Sequence, residues 1–408
     1  MRYLSEAHLI FLRHHFLYCL FSCFIFNAIG RIKDFDLKKI LFIYGTRPEA
    51  IKVAPLIREF SRYPEAFTIE VCLTGQHREM LNQVNSFFGI KGDYDLNLMQ
   101  PNQSLSGFTS RCIADLEPIL DASKPDLVFV QGDTTTVLAG ALSAFYKRIP
   151  IAHLEAGLRS GEKYSPYPEE INRKIVSQIA EYHFAPTTEA AENLYRDGIR
   201  KNVYIVGNTV IDALHLGLSI IEEKGYDRYQ SFFSYLDLSK RIILVTGHRR
   251  ESFGDGFENI CNALKTIVRL HNDIEIIYPV HMNPHVREPV NRLLRDIGRI
   301  HLIEPLDYPF LLWLMKASYF IITDSGGIQE EAPALGKPVL VMRDVTERME
   351  GIKAGTARLV GTSKESIVEA ACELLDHVDI YEQMAKAVNP YGDGKSSDRI
   401  VTYFRRDF

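Results

Sequence analysis

From about residue 39 onward the chain repeats one pattern: a short β-branched, apolar run breaks off at glycine or a polar turn, and apolar positions then recur at helical spacing. Residues 39–44, 67–74, 127–131, 203–206, 241–246, 274–280, 319–323 and 339–342 read as buried strands of the parallel type. Another strand, from Ile151, ends at Glu155. The turns that follow are alike: Gly45-Thr46-Arg47-Pro48-Glu49, Gly75-Gln76-His77-Arg78, Gly132-Asp133-Thr134, Gly247-His248-Arg249-Arg250 and Asp324-Ser325-Gly326-Gly327. In the last of these, two glycines let an anion approach the main chain, and the positive end of the helix dipole favours phosphate. Two consecutive strand–helix sets predict an α/β chain of two Rossmann-like, doubly wound domains facing across a cleft that holds the ligand. The expected division is residues 37–206 and 207–390, with Gly207-Asn208-Thr209 as a hinge and a C-terminal helix, within 391–408, packing back on the first domain. No Gly-x-Gly-x-x-Gly follows the first strand, so a nicotinamide or flavin site is not supported.

A length of 408 residues, 46% hydrophobic and 24% charged, suits a two-domain globular enzyme. A net charge of -5 argues against nucleic acid as the main partner. The six cysteines (Cys19, Cys23, Cys72, Cys112, Cys261, Cys372) have no zinc-like spacing and read as reduced thiols of a cytosolic protein. Residues 1–36 form a separate apolar extension. Arg13-His14-His15 interrupts it, leaving about 14 uninterrupted residues, short of the roughly 20 needed to span a bilayer. An accessory leader ranks first, a membrane-associating helix second and a secretory signal last, so any membrane association rests on this extension alone.

Candidate chemistry gathers at the strand ends. Arg47 and Lys52 stand where open sheets bind ligands, and each is either a solvated charge or a phosphate contact. Pro48 suits a first helical turn, and Pro55 predicts a local kink. His77 either faces the crevice or caps its helix at the surface. Asp93-Tyr94-Asp95 imitates a metal-binding Asp-x-Asp but reads as a polar loop with no strand leading into it. Asp133 alone could be an N-cap, yet with Glu155 at the neighbouring strand end the pair is harder to dismiss. Glu169 and Arg173, four apart, share a helix face, where a surface salt bridge is the plain reading. His248 is a candidate phosphate ligand. His281 and His285 are four apart, but Pro284 between them argues for a loop.

With Gly45 to Lys52, Gln76-His77-Arg78-Glu79, Gly132 to Thr136, His153 to Arg159, Pro168 to Arg173, Gly247 to Gly254 and Asp324 to Glu331 assembled, the chain closely resembles the non-hydrolysing bacterial UDP-N-acetylglucosamine 2-epimerases. The match runs from about residue 39 to 394. The resemblance implies a glycosyltransferase-B-like fold, a homodimer, no cofactor or metal, and interconversion of UDP-GlcNAc and UDP-ManNAc that supplies surface polysaccharide. Carried over, Arg47, Lys52, His248, Ser325, Gly326, Gly327, Glu331 and Arg348 look like UDP contacts, and Phe310 lies in the segment that holds uracil. Asp133, Glu155, Glu169 and Arg173 look like the reacting centre, together with His248, and Gln76, His77 and Arg249 are candidates for an activator site. The sequence departs from the family at Met349, where proline is usual, and at Leu306, where glutamine is common.

The inventory suits the chemistry. No carbonyl acidifies the proton at C2 of the sugar, so the bond to UDP must break with it or before it. Cations and a helix N-terminus stabilise the departing UDP while carboxylates handle the proton, with the identity of the base left open among Asp133, Glu155 and Glu169. A hydrolysing relative that releases free ManNAc, an epimerase of a modified UDP-sugar and a silent UDP-sugar-binding regulator are the alternatives.

Overall fold

The structure, a computed structural model, describes residues 37–75, 78–100 and 103–407, so the expectations for the N-terminal extension, Gln76 and His77 lie outside the described residues. Two wholly parallel sheets account for the strands. The first comprises β1 (Lys38–Tyr44), β2 (Phe67–Leu73), β3 (Tyr94–Asp95), β4 (Leu127–Gln131), β5 (Ile151–Leu154), β6 (Tyr182–Ala185) and β7 (Val203–Ile205), in the order β3-β2-β1-β4-β5-β6-β7. The second comprises β8 (Arg241–Thr246), β9 (Ile274–Pro279), β10 (Ile300–Ile303), β11 (Phe320–Thr323), β12 (Val339–Val341) and β13 (Ala357–Leu359), in the order β10-β9-β8-β11-β12-β13. The α/β, doubly wound architecture read from the sequence is therefore present. In each sheet the direction of winding reverses beside its first strand, between β1 and β4 and between β8 and β11. Carboxyl ends diverge at such switch points and open a crevice.

Helices cover both faces of each sheet, which is why the central strands are apolar without alternation: Ile40 through Tyr44 and Leu127 through Val130 are all buried. In the first core Phe42 and Phe129, on paired positions of β1 and β4, stack with ring centres 4.9 Å apart. The helix Thr209–Lys224 joins the two halves, packing against both Arg47–Phe60 and Tyr308–Ala317. Its Asp212 accepts hydrogen bonds from the backbone N–H groups of Ser396 (3.2 Å) and Ser397 (2.7 Å), and so caps the final helix, Ser396–Asp407, from a distant part of the chain. That helix lays Phe404 against Phe60, Phe129 and Phe184 at 6.1, 5.7 and 5.9 Å, closing the first core with the end of the chain.

Several local expectations are corrected. Asp93-Tyr94-Asp95 is not a free loop: Tyr94 and Asp95 form the edge strand β3, and Asp93 Oδ2 accepts the N–H of Val71 at 2.8 Å. Two residues are too short to show a period. Pro284 starts a helix, Pro284–Leu294, instead of preventing one, because the first turn needs no N–H there and the Asn283 side chain accepts the His285 N–H at 3.0 Å. His281 thus lies before that helix and His285 within it. Pro55 lies inside the helix Arg47–Phe60, where it was expected. Among the described residues no helix is long and apolar enough to cross a membrane.

Phe404 is 1% exposed and touches three rings of the first core. Phe404→Ala should therefore cost about 3–5 kcal/mol of unfolding free energy, measured by urea titration; a loss below about 1 kcal/mol would show that the C-terminal helix is dispensable to that core.

Candidate active site

A cavity of about 450 Å³ opens where the carboxyl edges of the two sheets face each other. Arg47 and Lys52 line it from one side, and His248, Ser325, Gly327, Glu331 and Arg348 from the other. Seven residues proposed from sequence thus converge on one space, although they come from both halves of the chain.

On the first side, one buried carboxylate builds the walls. Glu49 Oε2 accepts the N–H groups of Gly45 and Thr46 at 2.7 Å each, and Oε1 accepts the Thr134 hydroxyl. The turn after β1 is thereby fastened to the turn after β4, and burial pushes the Glu49 carboxyl pKa up despite these donors. Lys52, one turn further along the helix, points Nζ to within 2.6 Å of both carboxylate oxygens of Glu155. Gln131, the last residue of β4, donates its Nε2 to Glu155 Oε2. Glu155 itself has φ of +59°, a left-handed conformation that costs a residue with a side chain roughly 1 kcal/mol or more. Burial alone would raise its pKa, but Lys52, Arg348 and Arg173 outweigh burial and hold the carboxyl below its ordinary range.

Asp133 follows Gly132, whose φ is +80°. Its Oδ2 accepts from Arg173 Nη2, and its carbonyl accepts from Asn172 Nδ2 at 2.9 Å. The bridge expected between Glu169 and Arg173 does not form. Arg173 bonds Glu170 instead (3.1 Å), three residues back and fully buried, where Glu170 also accepts the Ser160 N–H at 3.0 Å. Glu169 opens the helix Glu169–Ile179 beside this group and has no hydrogen-bond or ion-pair partner among the described residues.

On the second side Asp324 plays the part that Glu49 plays on the first. Its Oδ2 accepts the N–H groups of His248 (2.6 Å) and Arg249 (2.8 Å), and Oδ1 lies 3.0 Å from His248 Nδ1. Burial raises the Asp324 pKa, and the hydrogen bonds and charge of His248 more than reverse that. The His248 ring stacks on His281 with centres 5.5 Å apart. Ser325 is the N-cap of Gly326–Glu331, but its side chain makes no capping bond and it lines the cavity. A side chain on Gly326 would meet the Arg348 guanidinium at 3.3 Å, so the glycine lets Arg348 lie close across the start of that helix. Arg348 donates to Glu330 (2.9 Å) and Glu347 (3.0 Å), and Glu330 also accepts Asn208 Nδ2 at 3.1 Å. Glu331 accepts the Tyr308 hydroxyl at 2.9 Å, and burial pushes its pKa up to about 7.

Asp133, Glu155, Glu169, Arg173 and Gly326 sit behind or beside the lining residues, and Phe310 and Arg249 point elsewhere. The Phe310 ring turns into an aromatic cluster, 5.0 Å from Tyr229 and 4.7 Å from Phe232, with the Arg228 guanidinium over it; its N–H donates to Asp307 O at 3.0 Å. From that segment Leu306, Tyr308 and Leu311 line the cavity instead. Arg249 sends its guanidinium to within 3.7 Å of Glu347. Sequence reasoning gave no role to Glu49, Gln131, Glu170, Tyr308 or Glu330. For Glu49 a signal existed, since Thr46-x-x-Glu49 is a capping-box spacing.

A sequence-family profile described as UDP-N-acetylglucosamine 2-epimerase matches residues 59–405. The UDP-N-acetylglucosamine 2-epimerase of Escherichia coli K12 is 53% identical over 366 residues, 89% of this chain and 97% of that one. A probable UDP-N-acetylglucosamine 2-epimerase of Ralstonia solanacearum is also 53% identical, covering 90% and 98%. Among solved structures, the UDP-GlcNAc 2-epimerase of Neisseria meningitidis bound to UDP-GlcNAc superposes with a TM-score of 0.83 at 46% identity, covering 90% of this chain and 100% of that one. The Methanocaldococcus jannaschii enzyme in complex with UDP-GlcNAc and UDP gives 0.74 at 35%, covering 90% and 99%.

Glu331 sets a pH test. Its folded pKa, about 7, lies above its ordinary value of 4.5, so the stability it contributes is complete below about 4.5 and is lost as pH rises through about 7. The loss is on the order of 3 kcal/mol. Urea titrations of the ligand-free protein at pH 5 and pH 8 should show the native protein losing stability relative to Glu331→Gln at the higher pH; parallel curves would mean that Glu331 is ionised throughout.

Proposed function

The chain belongs to the UDP-N-acetylglucosamine 2-epimerase family, and from that premise we propose that it interconverts UDP-GlcNAc and UDP-ManNAc by elimination and re-addition of UDP, without releasing free sugar. The observation that carries this reading is the convergence of Arg47, Lys52, His248 and Arg348 on one cavity, with Glu155 held directly behind Lys52 and Asp133 just past the neighbouring strand end. The cations suit a diphosphate. A diphosphate that departs gains negative charge, so fixed donors placed for it stabilise the transition state more than the bound substrate.

The acids complete the reaction. Glu155 is kept ionised by Lys52, and Asp133 is paired with Arg173. Each can take up or stabilise positive charge, on the C2 proton or on a sugar ring that turns cationic as the C1–O bond lengthens. With UDP gone the sugar is a neutral 2-acetamidoglucal. Return of the proton to the opposite face of C2, followed by attack of the waiting UDP on C1, yields the epimer. Glu169, unpartnered at the mouth of its helix, is the third acid of this centre. Glu331 and Tyr308 suit the ribose hydroxyls, and the aliphatic Leu306 and Leu311 suit the flat faces of uracil. In this reading Phe310 contributes through its backbone carbonyl and through the packing of its segment.

A homodimer belongs to the same proposal. Phe145 and Tyr146, 50% and 64% exposed, and Ile175, 41% exposed, lie on the adjacent helices Thr135–Tyr146 and Glu169–Ile179, an apolar face suited to a second copy.

Incubation with UDP-GlcNAc in D2O is expected to give UDP-ManNAc carrying deuterium at C2, read by NMR. Free ManNAc would instead identify a hydrolysing enzyme, and unlabelled product would refute the loss of the C2 proton. Asp133→Asn and Glu155→Gln should each lower kcat at least about a hundredfold; near-normal turnover in both would remove the acids from the reaction.

A further inference from the structure

We propose that Gln131 is a positioning residue of this reaction: its amide fixes one oxygen of Glu155 when Lys52 is drawn away by the diphosphate. The inference rests on the preceding reading, in which Glu155 acts at the sugar. Gln131 is 3% exposed at the end of β4, opposite Leu154 in the register of β5, so its side chain meets that of Glu155 at the sheet edge. Its Nε2 donates to Oε2 alone, whereas Lys52 bridges both oxygens. Directly after it, Gly132 takes a φ of +80°, a conformation that favours glycine and turns the chain away at the strand end.

The charge of the partner matters. Lys52 lines the cavity and is a flexible cation, so an incoming diphosphate competes for it. Once Lys52 turns to phosphate, Glu155 loses its nearest charge. Arg348, Arg173 and the neutral His153, whose own pKa burial lowers to about 4, remain within its electrostatic surroundings. A second cation in place of Gln131 would keep the carboxylate too weak a base. An apolar residue would let it swing on a strained backbone. A neutral donor holds the geometry and leaves basicity free to rise when substrate binds, with Oε1 the oxygen that faces the proton.

The test measures kcat and KM for UDP-GlcNAc from pH 5 to 9 in the full chain and in Gln131→Met and Gln131→Glu, with Glu155→Gln alongside. Gln131→Met should lower kcat about tenfold or more with KM changed less than about threefold, and should raise the acidic limb of kcat by about half a unit to one unit, because it removes a hydrogen bond to the ionised acid. Gln131→Glu should raise that limb further, since two adjoining carboxylates share a proton. If Gln131→Glu does not fold, Gln131→Met decides alone. A native acidic limb in the folded variants, with activity falling only in step with stability, would overturn the proposal. Normal turnover in Glu155→Gln would instead defeat the catalytic reading itself, whatever Gln131 does.

Discussion

The contact on which the site depends is the one between Lys52 and Glu155. It joins residues 103 positions apart, brings the helix after β1 against the end of β5, and is almost closed to solvent. Burying two charges costs several kcal/mol per ion before their attraction is counted, so such a pair is a poor device for stability alone. Its value lies in what it keeps in place. Without Lys52, burial would push the Glu155 carboxyl upward, with Arg348 and Arg173 left to oppose it. Without Glu155 a buried ammonium would tend to lose its proton and with it the attraction for phosphate. Each group preserves the charged form of the other until a ligand arrives.

The same logic runs around the cavity. Asp324 holds His248 and the backbone behind it, Glu330 and Glu347 hold Arg348, and Glu170 and Asp133 hold Arg173. Cations and anions are interleaved, so an entering diphosphate exchanges partners with groups already aimed at it. Preorganisation of this kind reduces what must be rearranged during the reaction. Asp324, Glu330 and Glu170 are also more buried than the residues they hold, which suits orienting groups whose use depends on rigidity.

The long strands and the turns after them were readable in the sequence because burial on both faces leaves an uninterrupted apolar run with glycine at its end. β3, β6, β10 and β13 were not: β3 has two polar-edged residues, and His183, His301 and Arg358 interrupt the apolar run in the others without the marked turn that betrays β5. Pro284 misled because a proline inside a helix and one that starts it look alike without knowledge of the cap. Among site residues, Arg47, Lys52, His248 and Ser325 announced themselves by charge or polarity at a strand end, whereas Arg348 was legible only through the family resemblance. Arg173 was legible but its partner was not: residues three and four back lie on the same helix face, and only burial chooses Glu170. Phe310 shows the opposite limit, for its position in a motif said nothing about where its ring would turn. Gln131 has no charge and sits in an apolar strand, so only its neighbour across the sheet reveals it.

The two-sided construction suits the reaction proposed for it, whose intermediate is fragmented. After elimination, sugar and UDP are separate molecules, and epimerisation succeeds only if UDP is still present, in register, when the proton has returned. A single strong grip on the diphosphate would retain it but would also favour the separated state over re-addition. Contacts shared between two sheets avoid this: Arg47 and Lys52 arrive from one, His248, Ser325 and Arg348 from the other, and the helix Thr209–Lys224 packs against both halves. In that proposal the retained UDP is held by geometry more than by any one bond, which leaves its oxygen free to attack C1 again.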